Sequence, residues 1–120
     1  MSDLIIEGLV KHFGKVCAID HVSLTVKSGT LTTLLGPSGC GKTTTLNSVA
    51  GLDPVDEGVI RVGDFVLNDS KRGIALQPEE RELGMVFQSY ALWPHMKVKD
   101  NLAFGLKLKK VSDAKRKKRI

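Results

Sequence analysis

The chain is 120 residues long, with 42% apolar and 26% charged side chains, which is enough to bury the core of one domain and too apolar for wholesale disorder. Its net charge of +5 is uneven: residues 107–120, KLKKVSDAKRKKRI, hold eight Lys/Arg against one Asp, while the other 106 hold ten Lys/Arg against twelve Asp/Glu. The domain proper is therefore not a basic nucleic-acid binder, and two cysteines, Cys17 and Cys40, exclude a disulfide framework and a zinc spacing.

The opening MSDLIIEGLV lacks the charged-then-apolar order of a secretory leader, and no apolar run approaches the ~18 residues that cross a bilayer. The expected compartment is the reducing cytoplasm. LIIEGLV (4–10) reads as a strand, and FGK (13–15) as a turn pivoting on Gly14. AIDHVSLTV (18–26) alternates and reads as a half-buried strand, so an antiparallel pair is expected at the start. LTTLLG (31–36) is denser in apolar residues and suits a parallel strand covered on both faces. KTTTLNSVAG (42–51) reads as a helix with Leu46, Val49 and Ala50 on one face and Gly51 as its stop.

GVIRVGDFVL (58–67) predicts two strands broken at Gly63-Asp64, and NDSKRGIALQPEERE (68–82) a surface loop. LGMVF (83–87) predicts a strand and QSYALWPHM (88–96) an irregular exit from it. VKDNLAFGLKLKK (98–110) predicts a helix with Leu102, Leu106 and Phe104 to one side. Ser112 is placed to cap a last helix with Asp113 in its first turn. His12, His21 and His95 show no ligand spacing.

The stretch that carries chemistry is Gly36-Pro37-Ser38-Gly39-Cys40-Gly41-Lys42-Thr43, which matches G-x-x-x-x-G-K-[ST] between an apolar run and a helical run. A helix start offers unpaired N–H groups and a positive dipole end. Glycines before it let successive amides turn inward around an anion. Lys42 can reach the β- and γ-phosphates of a nucleotide, the Thr43 hydroxyl can ligate Mg²⁺, and Thr44 can donate to the α-phosphate. The dinucleotide order G-x-G-x-x-G is not matched. A glycine-rich strand-to-helix turn with a surface lysine is the plain alternative.

Four stretches agree in order with one family: residues 13–58, the phosphate loop within them, PEERELGMVFQ (78–88) and SYALWPHMKVKDNLAFGLKLK (89–109). Together they resemble the ATP-binding subunit of ABC transporters, importer branch, serving sugars, polyamines, glycerol phosphate or ferric iron. The resemblance implies an α/β fold: a P-loop NTPase core with an N-terminal antiparallel β-subdomain. Residues 1–88 would be a partial ATP-binding core and 89–120 the exit from the Q-loop into a helical subdomain. It implies ATP and Mg²⁺ as cofactors. Phe13 would stack on adenine, with Val16 beside the base, and residues 36–44 would hold the phosphates. Gln88 would be a Mg²⁺ ligand and γ-phosphate sensor. Phe13 as a hairpin core residue remains the alternative.

The Tyr90–Met96 segment would dock a transmembrane permease subunit, placing the protein on the inner face of the membrane. Tyr90, Leu92, Trp93 and Met96 filling a small core is the competing reading. The intact protein would be a homodimer and an ATPase. The LSGGQ signature, the Walker B strand, its catalytic Glu and the switch His do not occur in these 120 residues. The chain is accordingly expected to be the amino-terminal part of such a subunit, truncated before those motifs, and inactive alone. A non-catalytic interaction module, or nucleic-acid binding through the basic segment, are the alternatives; nucleic acid is not an expected partner.

Overall fold

The computed structural model describes residues 2–37 and 39–120. It divides into two compact units, one reaching to Met85 and the other running from Val86 to Ile120.

The first unit is built on one five-stranded antiparallel sheet. Strands β1 (Leu4–Phe13) and β2 (Val16–Val26) form the opening hairpin, and β3 (Glu57–Val62) and β4 (Phe65–Asp69) a second, turning at Gly63-Asp64 as the sequence predicts. A two-residue β5 (Ile74–Ala75) closes one edge, giving the order β2-β1-β3-β4-β5. The β-branched and leucine residues of these strands alternate, and one set converges. Ile6, Leu9, Ile19, Ile60 and Leu67 are buried together, with Leu4, Ala18, Leu24, Val62, Val55 and Leu76 against them. Helix α1 (Lys42–Ala50) adds Val49 to this core.

Three sequence expectations fail here. Residues 31–36 are not a strand: no ladder joins them among the described residues, and Leu31 and Leu35 are 95% and 94% exposed. Residues 83–87 are likewise unpaired. A doubly covered parallel strand exists only through its neighbours, which supply both its hydrogen bonds and its apolar cover. On α1, Leu46 is exposed and the fully buried side chain is Ser48, whose hydroxyl donates to the Thr44 carbonyl at 2.7 Å. The helix meets the core through Val49 and its carbonyl end rather than through a continuous apolar stripe.

The polar run 68–82 is also more than a surface loop. It contributes Asn68 and Asp69 to β4, then β5, then a single 3-10 turn (Pro78–Glu80), and it buries Arg81 to 5% exposure. The Arg81 guanidinium donates to the Ser48 and Val49 carbonyls and its Nε to the Leu76 carbonyl, each at 3.0 Å. A cation on the last carbonyls of α1 complements the negative end of the helix dipole. Gly51 ends that helix at φ 84°, and a Cβ there would stand 2.6 Å from the Arg81 Nε. Glycine is required both by the left-handed backbone and by the guanidinium beside it.

The second unit holds α2 (Val98–Leu108) and α3 (Asp113–Arg119). Ser112 sits at the N-cap of α3 without a side-chain cap bond, and Asp113 pairs with Arg116 in the first turn. Arg116 also donates to the Val111 carbonyl at 2.8 Å. The loop before α2 is pinned by Asn101. Its carbonyl oxygen accepts the Trp93 N–H at 3.0 Å, and its amide faces the carbonyls of Trp93, Met96 and Lys97 at 3.0–3.3 Å. The Trp93 ring packs on Phe104 with centroids 4.4 Å apart.

Candidate functional site

The start of α1 is shaped by two left-handed glycines, Gly39 at φ 84° and Gly41 at φ 92°, the second serving as N-cap. Only Gly41 is also constrained by space: a Cβ there would lie 2.6 Å from the Ala18 carbonyl oxygen. The helix start is thus pressed against β2, two residues beyond Val16. Gly41 closes the first helical turn through its carbonyl, which accepts the Thr45 N–H at 2.9 Å and the Thr45 hydroxyl at 2.7 Å. Among the described residues no side chain caps this end, and the first turn carries no acidic residue. The early N–H groups of the helix are left for an external acceptor.

Lys42 is half-buried, and its ammonium donates to the Gly36 carbonyl, bridging the two ends of the loop. Thr43 is exposed and Thr44 half-buried at the rim. The Pro37 carbonyl accepts the Cys40 N–H at 3.3 Å, and the Cys40 thiol lies under Gly36, where a Cβ would meet the sulfur at 2.6 Å. Ser38, also assigned to the phosphate loop from sequence, lies outside the described residues.

Phe13 and Val16 face each other as register partners at the tip of the β1–β2 hairpin, and both are exposed. Phe13 is not a hairpin core residue. The hairpin tip is tied back by Asp56, which follows α1: its N–H donates to the Val10 carbonyl at 3.0 Å and its carboxylate accepts the His12 N–H at 2.6 Å. Sequence reasoning missed Asp56 and Arg81, since neither belongs to a periodic pattern or a fixed-spacing motif.

The first unit therefore holds Phe13, Val16 and the phosphate loop with the start of α1. Gln88 belongs to the second unit, exposed in a turn whose Phe87 carbonyl accepts the Tyr90 N–H at 3.1 Å. Tyr90 and Leu92 are exposed, Trp93 is shared between its contact with Phe104 and solvent, and Met96 is half-buried. Among the described residues no group of three or more His, Cys, Asp or Glu could hold a metal ion.

A glycine-turned helix start with free amides and an ammonium fits a polyphosphate. A bare carbonyl or carboxylate lining would not. Comparison with known proteins points the same way. The sequence pattern of the ABC transporter family matches residues 19–120. The trehalose/maltose import ATP-binding protein MalK of Thermococcus litoralis is 55% identical over 101 residues, which cover 84% of this chain and 27% of that protein. The spermidine/putrescine import ATP-binding protein PotA of Nitrosomonas eutropha is 48% identical over all 120 residues, 31% of its own length. Among solved structures, MJ0796, a dimeric bacterial ABC transporter cassette, superposes with a TM-score of 0.80 at 28% identity, covering 97% of this chain and 53% of that one. The chain thus spans roughly a third of the curated relatives it matches.

Proposed function

The chain belongs to the ABC transporter family, and we propose from that premise that it is the ATP-binding portion of an import ATPase subunit. Residues 1–88 are taken as ATP-binding core and 89–120 as the way into a helical subdomain. The whole protein would couple ATP hydrolysis to uptake of a solute, working as a homodimer with permease subunits at the inner face of the membrane. The relatives named above serve sugars and polyamines.

The observation that carries this reading is the start of α1: two left-handed glycines, uncapped amides and Lys42 within one turn. In this reading the amides of residues 39–44 and the Lys42 ammonium hold the phosphate chain, with Gly36, Pro37, Ser38 and Cys40 forming the loop around it. The Thr43 hydroxyl and Gln88 hold Mg²⁺, which when bound neutralises phosphate charge. Phe13 supplies a stacking face for adenine, with Val16 beside it. The exposed Tyr90 and Leu92 support docking of a permease through the Tyr90–Met96 segment.

Isothermal titration of the 120-residue chain with MgATP tests the nucleotide site. Saturable binding that Lys42→Ala weakens by at least about tenfold, with the fold intact by circular dichroism, is the expected result. Binding that is absent in the parent chain, or indifferent to Lys42→Ala, refutes it.

A further inference from the structure

Lys11 stands out among the cations of the first unit. It is only 6% exposed, yet among the described residues no carboxylate lies within ion-pair distance of it. Its ammonium instead sits 4.9 Å from the centroid of the Phe13 ring, two residues along the same strand. The β1–β2 register slips on both sides of Lys11, between Leu9 and Lys11 and again between Lys11 and His12. Such irregularities re-aim side chains. His12, between the two residues, is held through its N–H by the Asp56 carboxylate. The strand end is therefore fixed in a non-regular form that stacks an ammonium on an arene. The apolar stem of Lys11 fills the sheet while its ammonium is carried to the Phe13 ring.

We propose that Lys11 is a specificity-determining residue for the base of the bound nucleotide, acting through Phe13. This rests on the nucleotide reading above. The ammonium covers one face of the ring and sets its tilt. Phe13 is 48% exposed, so the ring still offers surface to a base. The cation also draws π-density toward itself, which leaves the far face a better partner for an electron-rich purine. Lys11 thus acts on base recognition while the phosphates are held elsewhere, at residues 36–44.

The test separates base from phosphate. Parent, Lys11→Met and Lys11→Arg chains are titrated with MgATP and with magnesium tripolyphosphate, which has the phosphates and no base. Lys11→Met, which keeps the stem length, should weaken ATP roughly fivefold and leave tripolyphosphate within about twofold. Lys11→Arg, which keeps a cation for the ring, should restore the ATP preference. In a Phe13→Leu background the Lys11→Met change should have no further effect on ATP. Equal weakening of both ligands, or no change in either, overturns the proposal while leaving the nucleotide site standing. A parent chain that binds neither ligand sinks the nucleotide reading and this inference with it. Should Lys11→Met fail to fold, the proton shifts of the Lys11 ε-methylene decide. They must show upfield ring-current displacement that vanishes in Phe13→Leu and moves on adding ATP but not on adding tripolyphosphate. Unshifted ε-methylene protons in the parent chain refute the stacking.

Discussion

Replacing Arg81 by Met should cost the first unit about 3 kcal/mol, a large share of the stability of a domain this size. The side chain is 5% exposed and places three hydrogen bonds at 3.0 Å: two on the Ser48 and Val49 carbonyls and one on Leu76. Bonds from a charged donor contribute ~1.5–3 kcal/mol each net, and they are not additive within one group. Two terms pull the sum down. The Ser48 carbonyl also accepts the Gly51 N–H at 3.3 Å, so it is not orphaned by the change. Burial also holds the Arg81 pKa below the usual guanidinium value, because desolvation penalises the charged form. Methionine keeps the apolar stem but leaves the Val49 and Leu76 carbonyls short of a donor. In the Arg81→Lys variant the shorter ammonium can reach one carbonyl but not three, and the loss should be roughly half as large. Urea unfolding followed by far-ultraviolet circular dichroism is the assay, since the only tryptophan, Trp93, belongs to the other unit. A fall in midpoint with unchanged slope is the expected signature. A loss below about 0.5 kcal/mol for Arg81→Met would mean that water, not the guanidinium, satisfies the end of α1, and the reasoning would be wrong.

Two further substitutions probe the elements that frame the site. Gly41→Ala places a Cβ 2.6 Å from the Ala18 carbonyl at φ 92°, so it should cost ~2 kcal/mol or more and abolish MgATP binding by calorimetry; retention of both would show the loop relaxes freely. Asn101→Ala removes the side chain that ties Trp93, Met96 and Lys97 together, and should red-shift Trp93 emission and raise its quenching by acrylamide while α2 persists by circular dichroism; an unchanged spectrum would show that the Phe104 contact alone holds the ring.

Much of this was legible in the residues because chemistry leaves few alternatives there. The glycine-rich turn before α1 was legible because its left-handed backbone requires Gly39 and Gly41. Gly63-Asp64 and Gly51 mark a hairpin and a helix stop for the same backbone reason. The runs 31–36 and 83–87 misled because an apolar stretch says that cover is wanted, not that a ladder is present. Leu46 misled because α1 is docked through its carbonyl end. Arg81 was invisible in a polar run. A buried arginine is defined by the carbonyls that converge on it from Ser48, Val49 and Leu76, and no local pattern announces that.

The bridge from Lys42 to the Gly36 carbonyl bears on what the loop will refuse. An incoming guest competes with an acceptor the chain already owns, so it must return more to the ammonium than it takes away. Chloride or acetate offers too few acceptor atoms to win that exchange, whereas a chain of phosphates can satisfy the cation and the amides of the turn at once. In the proposed site the lysine would be at once the hook for a polyphosphate and the latch against small, abundant anions.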